Sequence, residues 1–341
     1  MIFCVRYTKK EKSMDKIQKI KDSVFVYISV DDDDVFNVIN SPLFHRLQDI
    51  IQTSYTSVYP SAVHNRFVHS LGVYHLGKIA ADKLQKDIRK KNLLEEDELN
   101  RINKTFILAC LMHDIGHSPF SHTGEKFYFY FKKNKKTPEV WCDLLKILND
   151  SDFISDSDGS KKWKGAEHEI MSALASLRAF PNVFKELDRS FFARCIVGLK
   201  YSDKTNIRNC FIDLLNSRTI DVDKLDYLIR DSFFTGFKTV NIDYERLLTS
   251  VCIVNDNNGF SLGFEKTALS TLESVILAHD MERKWIQNHP VIKYEAHLIS
   301  YMISKSSSDY NSRNKNLFSF EALTEKGLKV RGETICLFSD S

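Results

Sequence analysis

The sequence predicts a mostly α-helical protein with a few short β-strands or hairpins. Apolar residues recur at helical spacing through its longer segments, the β-branched runs are too few for a sheet-based core, and no internal repeat points to a stacked array. With 341 residues, 43% of them hydrophobic, the chain can bury a substantial core as one large or two modest domains. The net charge of +3 makes no global case for nucleic acid, which is not indicated as a partner, although local basic runs keep an anionic partner open. The seven cysteines are odd in number, scattered and without a CxxC pair, so they read as reduced thiols of a cytoplasmic protein. No apolar run approaches the roughly 18 residues of a membrane span. Met1-Ile-Phe-Cys-Val is too short for a signal-peptide core, and Met14 is a candidate second start.

Residues 23–30 are β-branched and aromatic and predict a strand, followed by the acidic turn Asp31 to Asp34, which suits a helix N-terminus. Val35 to Ile51 reads as helix interrupted near Ser41-Pro42, and Thr53 to Pro60 as a loop. The stretch beginning at His64 opens a helix whose apolar stripe continues through Leu76, Ile79 and Ala80. Arg66 and His69, three residues apart, share one of its faces. Residues 85–104 read as an exposed, charge-rich helical connection, 132–136 as a basic loop, and Asn149 to Gly165 as a mobile loop ending at His168-Glu169. Val251 to Phe264 carries a hairpin signal around Asp256-Asn-Asn-Gly259. Helices follow from about Leu269 to Trp285 and Ile292 to Ser304, then a loose Ser/Asn/Lys-rich stretch at 306–316 and a last segment whose apolar positions lack an evident partner.

The chain is organised around Leu108-Ala-Cys-Leu-Met-His113-Asp114-Ile-Gly-His117-Ser-Pro-Phe-Ser-His122-Thr-Gly-Glu125. An enclosed apolar helix runs directly into ionisable side chains, and a buried carboxylate next to an imidazole has a divalent cation as its natural partner. Gly116 and Pro119 break the helix, leaving His117 one turn from His113 and starting a new turn with His122 and Glu125. Any one of these residues alone would suit an ordinary core or surface position; five within thirteen positions make a site. A second stretch, Asp221 to Asp231, places Val222, Leu225, Leu228 and Ile229 on an apolar face and Asp223, Tyr227, Arg230 and Asp231 on another. Beside His69 and His113-Asp114, Asp223 supplies a fourth ligand.

In order, His69, the His113-Asp114 doublet and Asp223 resemble the H…HD…D signature of HD-domain metal phosphohydrolases. The stretches around His64–Val73, His113–His122 and Asp221–Asp231 resemble the deoxynucleotide triphosphohydrolase branch of that family, over about Ser23 to Ser300. The resemblance implies an HD-domain helical bundle at 21–305, after an N-terminal extension at 1–20 and before the start of a C-terminal region at 306–341, in a truncated chain or a shortened member. It implies one divalent ion (Mn, Fe, Ni, Co, Zn or Mg) on His69, His113, Asp114 and Asp223, and hydrolysis of a deoxynucleoside triphosphate to deoxynucleoside and triphosphate in a homo-oligomer. His122, Glu125 and His168 match catalytic positions, with Glu125 orienting an imidazole. Arg66, His117 and Lys224 match phosphate-binding positions, and Gln52, Tyr227 and Asp231 match positions around the sugar and its 3′-hydroxyl.

This chain departs from the animal members at several positions. Thr53 to Val58 replaces a glycine-rich loop, Asn40, His45 and Gln48 stand where an activating guanine nucleotide is bound, and His279 takes the place of a phosphate-binding arginine, with Arg283 one turn on. The competing readings are an HD phosphodiesterase or phosphatase acting on another nucleotide, and a non-catalytic regulator that binds nucleotide or nucleic acid.

Overall fold

Acidic caps set the start of the helical chain. The computed structural model describes residues 17–341 apart from 54–55, 130–137, 158–162, 239, 258, 311–316 and 331, and the side chains of 306–310; the expected basic loop at 132–136 lies outside the described residues. A hairpin of β1 (Gln18–Asp22) and β2 (Val26–Val30) comes first, so the strand expected at 23–30 occupies only the second half of that run and pairs with a strand the sequence had not marked. Asp32 then accepts the amides of Asp34 and Val35 to open α1 (Asp33–Ile39), as the acidic turn predicted. Ser41 caps the short α2 (Pro42–His45), with the proline at the first helical position, where its missing N–H is harmless.

Three long helices carry the site. Asn65 accepts the Val68 amide to start α3 (Arg66–Lys90), which packs against α4 (Glu96–Met112) and α11 (Val222–Thr235). Close approach is possible because two α3 positions lack a side chain. A Cβ on Gly77 would lie 2.6 Å from the Cys110 sulfur, and one on Gly72 would lie 1.8 Å from Asp226 Oδ1. The region read as an exposed connection is the antiparallel junction of α3 and α4. Its charges do face outward, with Arg89 paired to Glu96, but Ile88, Leu99 and Ile102 are buried at helical spacing.

Around this trio, α6 (Glu139–Leu148), α8 (Glu167–Ala179), α9 (Arg189–Val197) and α10 (Arg208–Leu215) close the core, with the Phe106 and Phe211 rings 5.3 Å apart edge to face. The segment expected to be a loop after Asn149 contains a helical turn, α7 (Ser151–Asp156), capped by Asp150 and held by the buried Phe153. A short α12 (Tyr244–Leu248) leads to the hairpin of β3 (Val251–Asp256) and β4 (Gly259–Phe264), found where the Asp-Asn-Asn-Gly turn predicted it. Next come α13 (Leu269–Glu282), a π-helical turn at Arg283–Gln287 and α14 (Pro290–Tyr310), which runs into the stretch expected to be loose.

The end of the chain does find a partner. Phe318, Ala322 and Leu323 are buried, the last two in α15 (Phe320–Leu323), and the Phe318 ring meets Phe127, Tyr128 and Phe338. Among the described residues each sheet is a two-stranded antiparallel pair, the last formed by β5 (Leu328–Val330) and β6 (Glu333–Ile335). No helix among the described residues is long and apolar enough to cross a membrane. Cys110, Cys195 and Cys210 are buried free thiols.

Candidate active site

His69 in the first turn of α3, the His113-Asp114 pair at the end of α4 and Asp223 in the first turn of α11 meet where the three helices converge. The two imidazoles face each other with Nε2 atoms 3.3 Å apart. Asp223 Oδ1 lies 3.0 Å from His69 Nε2 and 3.7 Å from His113 Nε2, and the Asp114 oxygens lie 3.7 Å from each. The outer ring nitrogens are already committed. His69 Nδ1–H donates to Asp226 Oδ2 at 2.7 Å, and His113 Nδ1–H donates to the Cys110 carbonyl at 2.9 Å. Those bonds fix the rings and turn both Nε2 atoms toward the acids, the second layer a metal-binding imidazole requires. Two nitrogens and two carboxylates sharing so small a space fit a divalent cation that prefers mixed N/O ligands.

Behind His69 the support runs deep. Arg230 donates to both oxygens of Asp226 at 2.9 Å and to Asp22 Oδ2 at 3.0 Å, so the first hairpin is tied to the centre through a buried row of charges. Burial alone would lower the His69 pKa, but its bonds to Asp223 and Asp226 outweigh that and raise it to about 10. Arg66 lies on the other side, donating to Asp114 Oδ2 at 2.6 Å. Burial would raise the Asp114 pKa, yet Arg66 and the surrounding imidazoles hold it well below the usual carboxylate range.

A second group lies alongside, built around the short α5 (His122–Glu125). Glu125 accepts from His122 Nδ1 at 3.1 Å and, through its other oxygen, from His168 Nδ1, while the His117 ring stacks on His168 with centroids 4.5 Å apart. His117 is fully buried, and neither ring nitrogen finds a partner among the described residues. Burial and then the charge of Arg66 keep it well below its ordinary pKa, hence neutral. His168 behaves oppositely: burial would lower it, but the bond to Glu125 and its charge raise it to about 9. Glu125, despite partial burial, is held far below the ordinary range by the same two imidazoles. Geometry for this group comes from a sharp turn. Phe120 and Ser121 both adopt positive φ (60° and 51°), and Gly116 presses the loop against α8, where a Cβ would lie 2.4 Å from the Ser172 nitrogen.

Residues 66–174 match the family model of the HD domain. The chain carries an HD domain. It is 30% identical over 225 residues to the deoxynucleoside triphosphate triphosphohydrolase SAMHD1 homolog of Dictyostelium discoideum, covering 66% of this chain and 38% of that protein. It is 27% identical over 299 residues to an uncharacterized protein of Methanocaldococcus jannaschii, covering 87% of this chain and 52% of the relative. The chain thus spans about half the length, or less, of these curated relatives. A phosphohydrolase structure from Bacteroides thetaiotaomicron shares the fold, with a TM-score of 0.62 at 23% identity over 86% of this chain and 60% of that one.

Within and around the HD domain, the remaining sequence-derived candidates divide by their surroundings. Arg66 reaches the Gln52 carbonyl at 3.3 Å and Ser121 Oγ through Nε at 3.0 Å, and the buried Gln52 Oε1 has no partner among the described residues. Tyr227 and Asp231 lie one and two turns beyond Asp223 on α11, Tyr227 partly buried and Asp231 fully buried. Lys224 turns away, its ammonium held by Asp221 Oδ2 at 2.6 Å and the Ser217 carbonyl at 2.8 Å. Arg283 is exposed, and His279 is about one-third exposed beside Asp280. Sequence reasoning missed Asp226, Ser121 and a clamp formed by Arg46 and Asp340. Arg46 donates to the carbonyls of Ile115, His117 and Phe338, and Asp340 accepts the amides of Phe120 at 2.6 Å and Ile51 at 2.9 Å. The spacing of Asp226 three residues after Asp223 was a usable signal; nothing local marks Asp340.

Proposed function

We propose that this chain is a divalent-metal-dependent phosphohydrolase that cleaves a deoxynucleoside triphosphate at the α-phosphorus, releasing deoxynucleoside and inorganic triphosphate. The carrying observation is the convergence of His69, His113, Asp114 and Asp223 beside a cationic and imidazole-rich flank. The named activity of the Dictyostelium relative supports the choice of substrate. When bound, the ion would polarise a phosphoryl oxygen and lower the pKa of water. Arg66 and the unpartnered His117 are assigned to phosphate oxygens, as is Lys224 once its ammonium swings from Asp221. His168, charged at neutral pH through Glu125, is positioned by its pKa to give a proton to the leaving 5′-oxygen, with His122 as its exposed neighbour on the same carboxylate. Gln52, Tyr227 and Asp231 are assigned to the sugar.

The test is incubation of purified protein with each deoxynucleoside triphosphate and Mn, resolving the products. Deoxynucleoside plus triphosphate is expected; monophosphate plus pyrophosphate, or turnover only of another nucleotide, would replace this reading with a phosphodiesterase or phosphatase. Binding without turnover would favour the regulator. The reading includes a cytoplasmic location, which suits the free thiols, and self-association. Leu269, Ile276 and Leu277 of α13 and Tyr294, Tyr301 and Met302 of α14 expose apolar surface that a second copy would cover. Light scattering giving a monomer at all concentrations would remove that part.

A further inference from the structure

The turn between His117 and His122 is held in a conformation its own residues disfavour. Ser121 N–H donates to the Ser118 carbonyl at 3.2 Å, closing four residues with Pro119 and Phe120 at the corners. Proline followed by a residue of positive φ is the type II pattern, whose second corner favours glycine or asparagine. Here that corner is Phe120 at φ 60°, and Ser121 follows at φ 51°. The carbonyls of these two residues accept the Thr123 and Gly124 amides at 3.0 and 3.1 Å, so α5, with His122 at its head, starts from the strained pair. Such a pair persists only where its surroundings over-determine it.

The bracing comes from outside residues 66–174, the stretch that matches the HD domain. Asp340 accepts the Phe120 amide at 2.6 Å through Oδ1 and the Ile51 amide at 2.9 Å through Oδ2, and its own amide donates to the Asp49 carbonyl at 3.0 Å. One carboxylate thus joins the two backbone segments that hold the Arg66 guanidinium. Ser121 Oγ on one segment and the Gln52 carbonyl on the other both accept from Arg66, and Ser121 Oγ donates to that carbonyl at 3.1 Å. The buried Arg46 ties the same pieces together, donating to the Ile115 and His117 carbonyls ahead of the turn and to the Phe338 carbonyl two residues before Asp340. Beyond the turn, Phe318 lies against α5, where a Cβ added to Gly124 would be 3.3 Å from its ring. The segment 317–341 therefore touches this loop on both sides of His122. We propose that this segment is a working part of the active site, in which Asp340, anchored beside Arg46, is a positioning residue that holds the Phe120–Ser121 turn and so sets where His122 and Arg66 meet the substrate's phosphates. This rests on the hydrolase reading given above.

The experiment measures kcat/KM on a deoxynucleoside triphosphate with Mn, using the full chain at a temperature where every variant is folded, for wild type, Asp340→Ala, Phe120→Asn and the double variant. Asp340→Ala is expected to lower kcat/KM by about fivefold, the equivalent of one net hydrogen bond, with metal per chain unchanged. Asparagine suits the second corner of the turn, so Phe120→Asn stays close to wild type and restores most of the loss when combined with Asp340→Ala. A merely structural Asp340 would lower the melting temperature and leave kcat/KM of the folded protein untouched, and that result overturns the inference. Parallel loss of metal, or a double variant no faster than Asp340→Ala, overturns it as well. Hydrogen exchange at the Ser121 amide, which closes the turn, needs no turnover: unchanged protection in Asp340→Ala overturns the inference and leaves the hydrolase reading standing. A wild type that hydrolyses no deoxynucleoside triphosphate overturns both.

Discussion

The two ionisable groups beside the convergence of α3, α4 and α11 use the same residue types in different arrangements. In the group of His69, His113, Asp114 and Asp223, each imidazole turns its Nε2 toward the acids because its Nδ1–H is held by Asp226 or by the Cys110 carbonyl. In the group of His117, His122, Glu125 and His168, one carboxylate takes the Nδ1 protons of two imidazoles and keeps His168 charged up to about pH 9. The first gathers two Nε2 atoms and two acids around one small space, and the second gathers two imidazoles on a single carboxylate. Residue identity does not distinguish a ligand histidine from an acid histidine; the partner of the second ring nitrogen does.

Several perturbations would break or sharpen this contrast. The largest effect is expected for Asp114→Ala, which should lower bound metal and turnover together by roughly 1,000-fold, several kcal/mol of transition-state stabilisation; metal analysis showing full occupancy would erase the difference between the groups. Next, His168→Gln should lower kcat by about 100-fold with metal content unchanged. The pH dependence has a definite sign: a group raised to about 9 is an acid below that value, so the wild-type rate should fall as pH rises through about 9, and the alkaline limb should vanish in the variant. Smaller again, Asp226→Asn should weaken metal affinity by about 10- to 100-fold while the pH limb of His168 stays in place. The smallest effect is expected for Asp340→Ala, a loss of about 1 kcal/mol in stability, since both amide bonds are exposed and water can take the carboxylate's place, seen as faster hydrogen exchange at Phe120 and Ile51 with metal affinity held.

The motif residues were legible because chemistry and local spacing coincide in them. His113 and Asp114 follow an apolar run that has to be buried, and a buried acid demands a partner wherever the helix goes. The acidic turn at Asp32, the proline start of α2 and the Asp-Asn-Asn-Gly hairpin were readable for the same reason: the nearest backbone satisfies them. Residues whose partners lie on distant elements of the chain were not. Arg46 looks like a surface base beside α2, yet it is 3% exposed and joins the motif loop to Phe338. Glu282 reads as the polar end of a helix, and its burial follows from where α13 rests on α11. Lys224 matches a phosphate-binding position, and what the sequence did not show is that Asp221, the N-cap of its own helix, holds the ammonium.

From the sequence alone came the helical class, the family resemblance and the candidate ligand set, all of which depend on periodicity and on residue types crowded into short stretches. Only the tertiary structure decided which nitrogen of His69 and His113 faces the acids, that Asp231 and Glu282 are both buried, and what braces the turn at Phe120 and Ser121. Protonation and tautomer are set by whatever lies within hydrogen-bond distance, and for His69, Asp231 and Phe120 those neighbours come from elements far away in the chain.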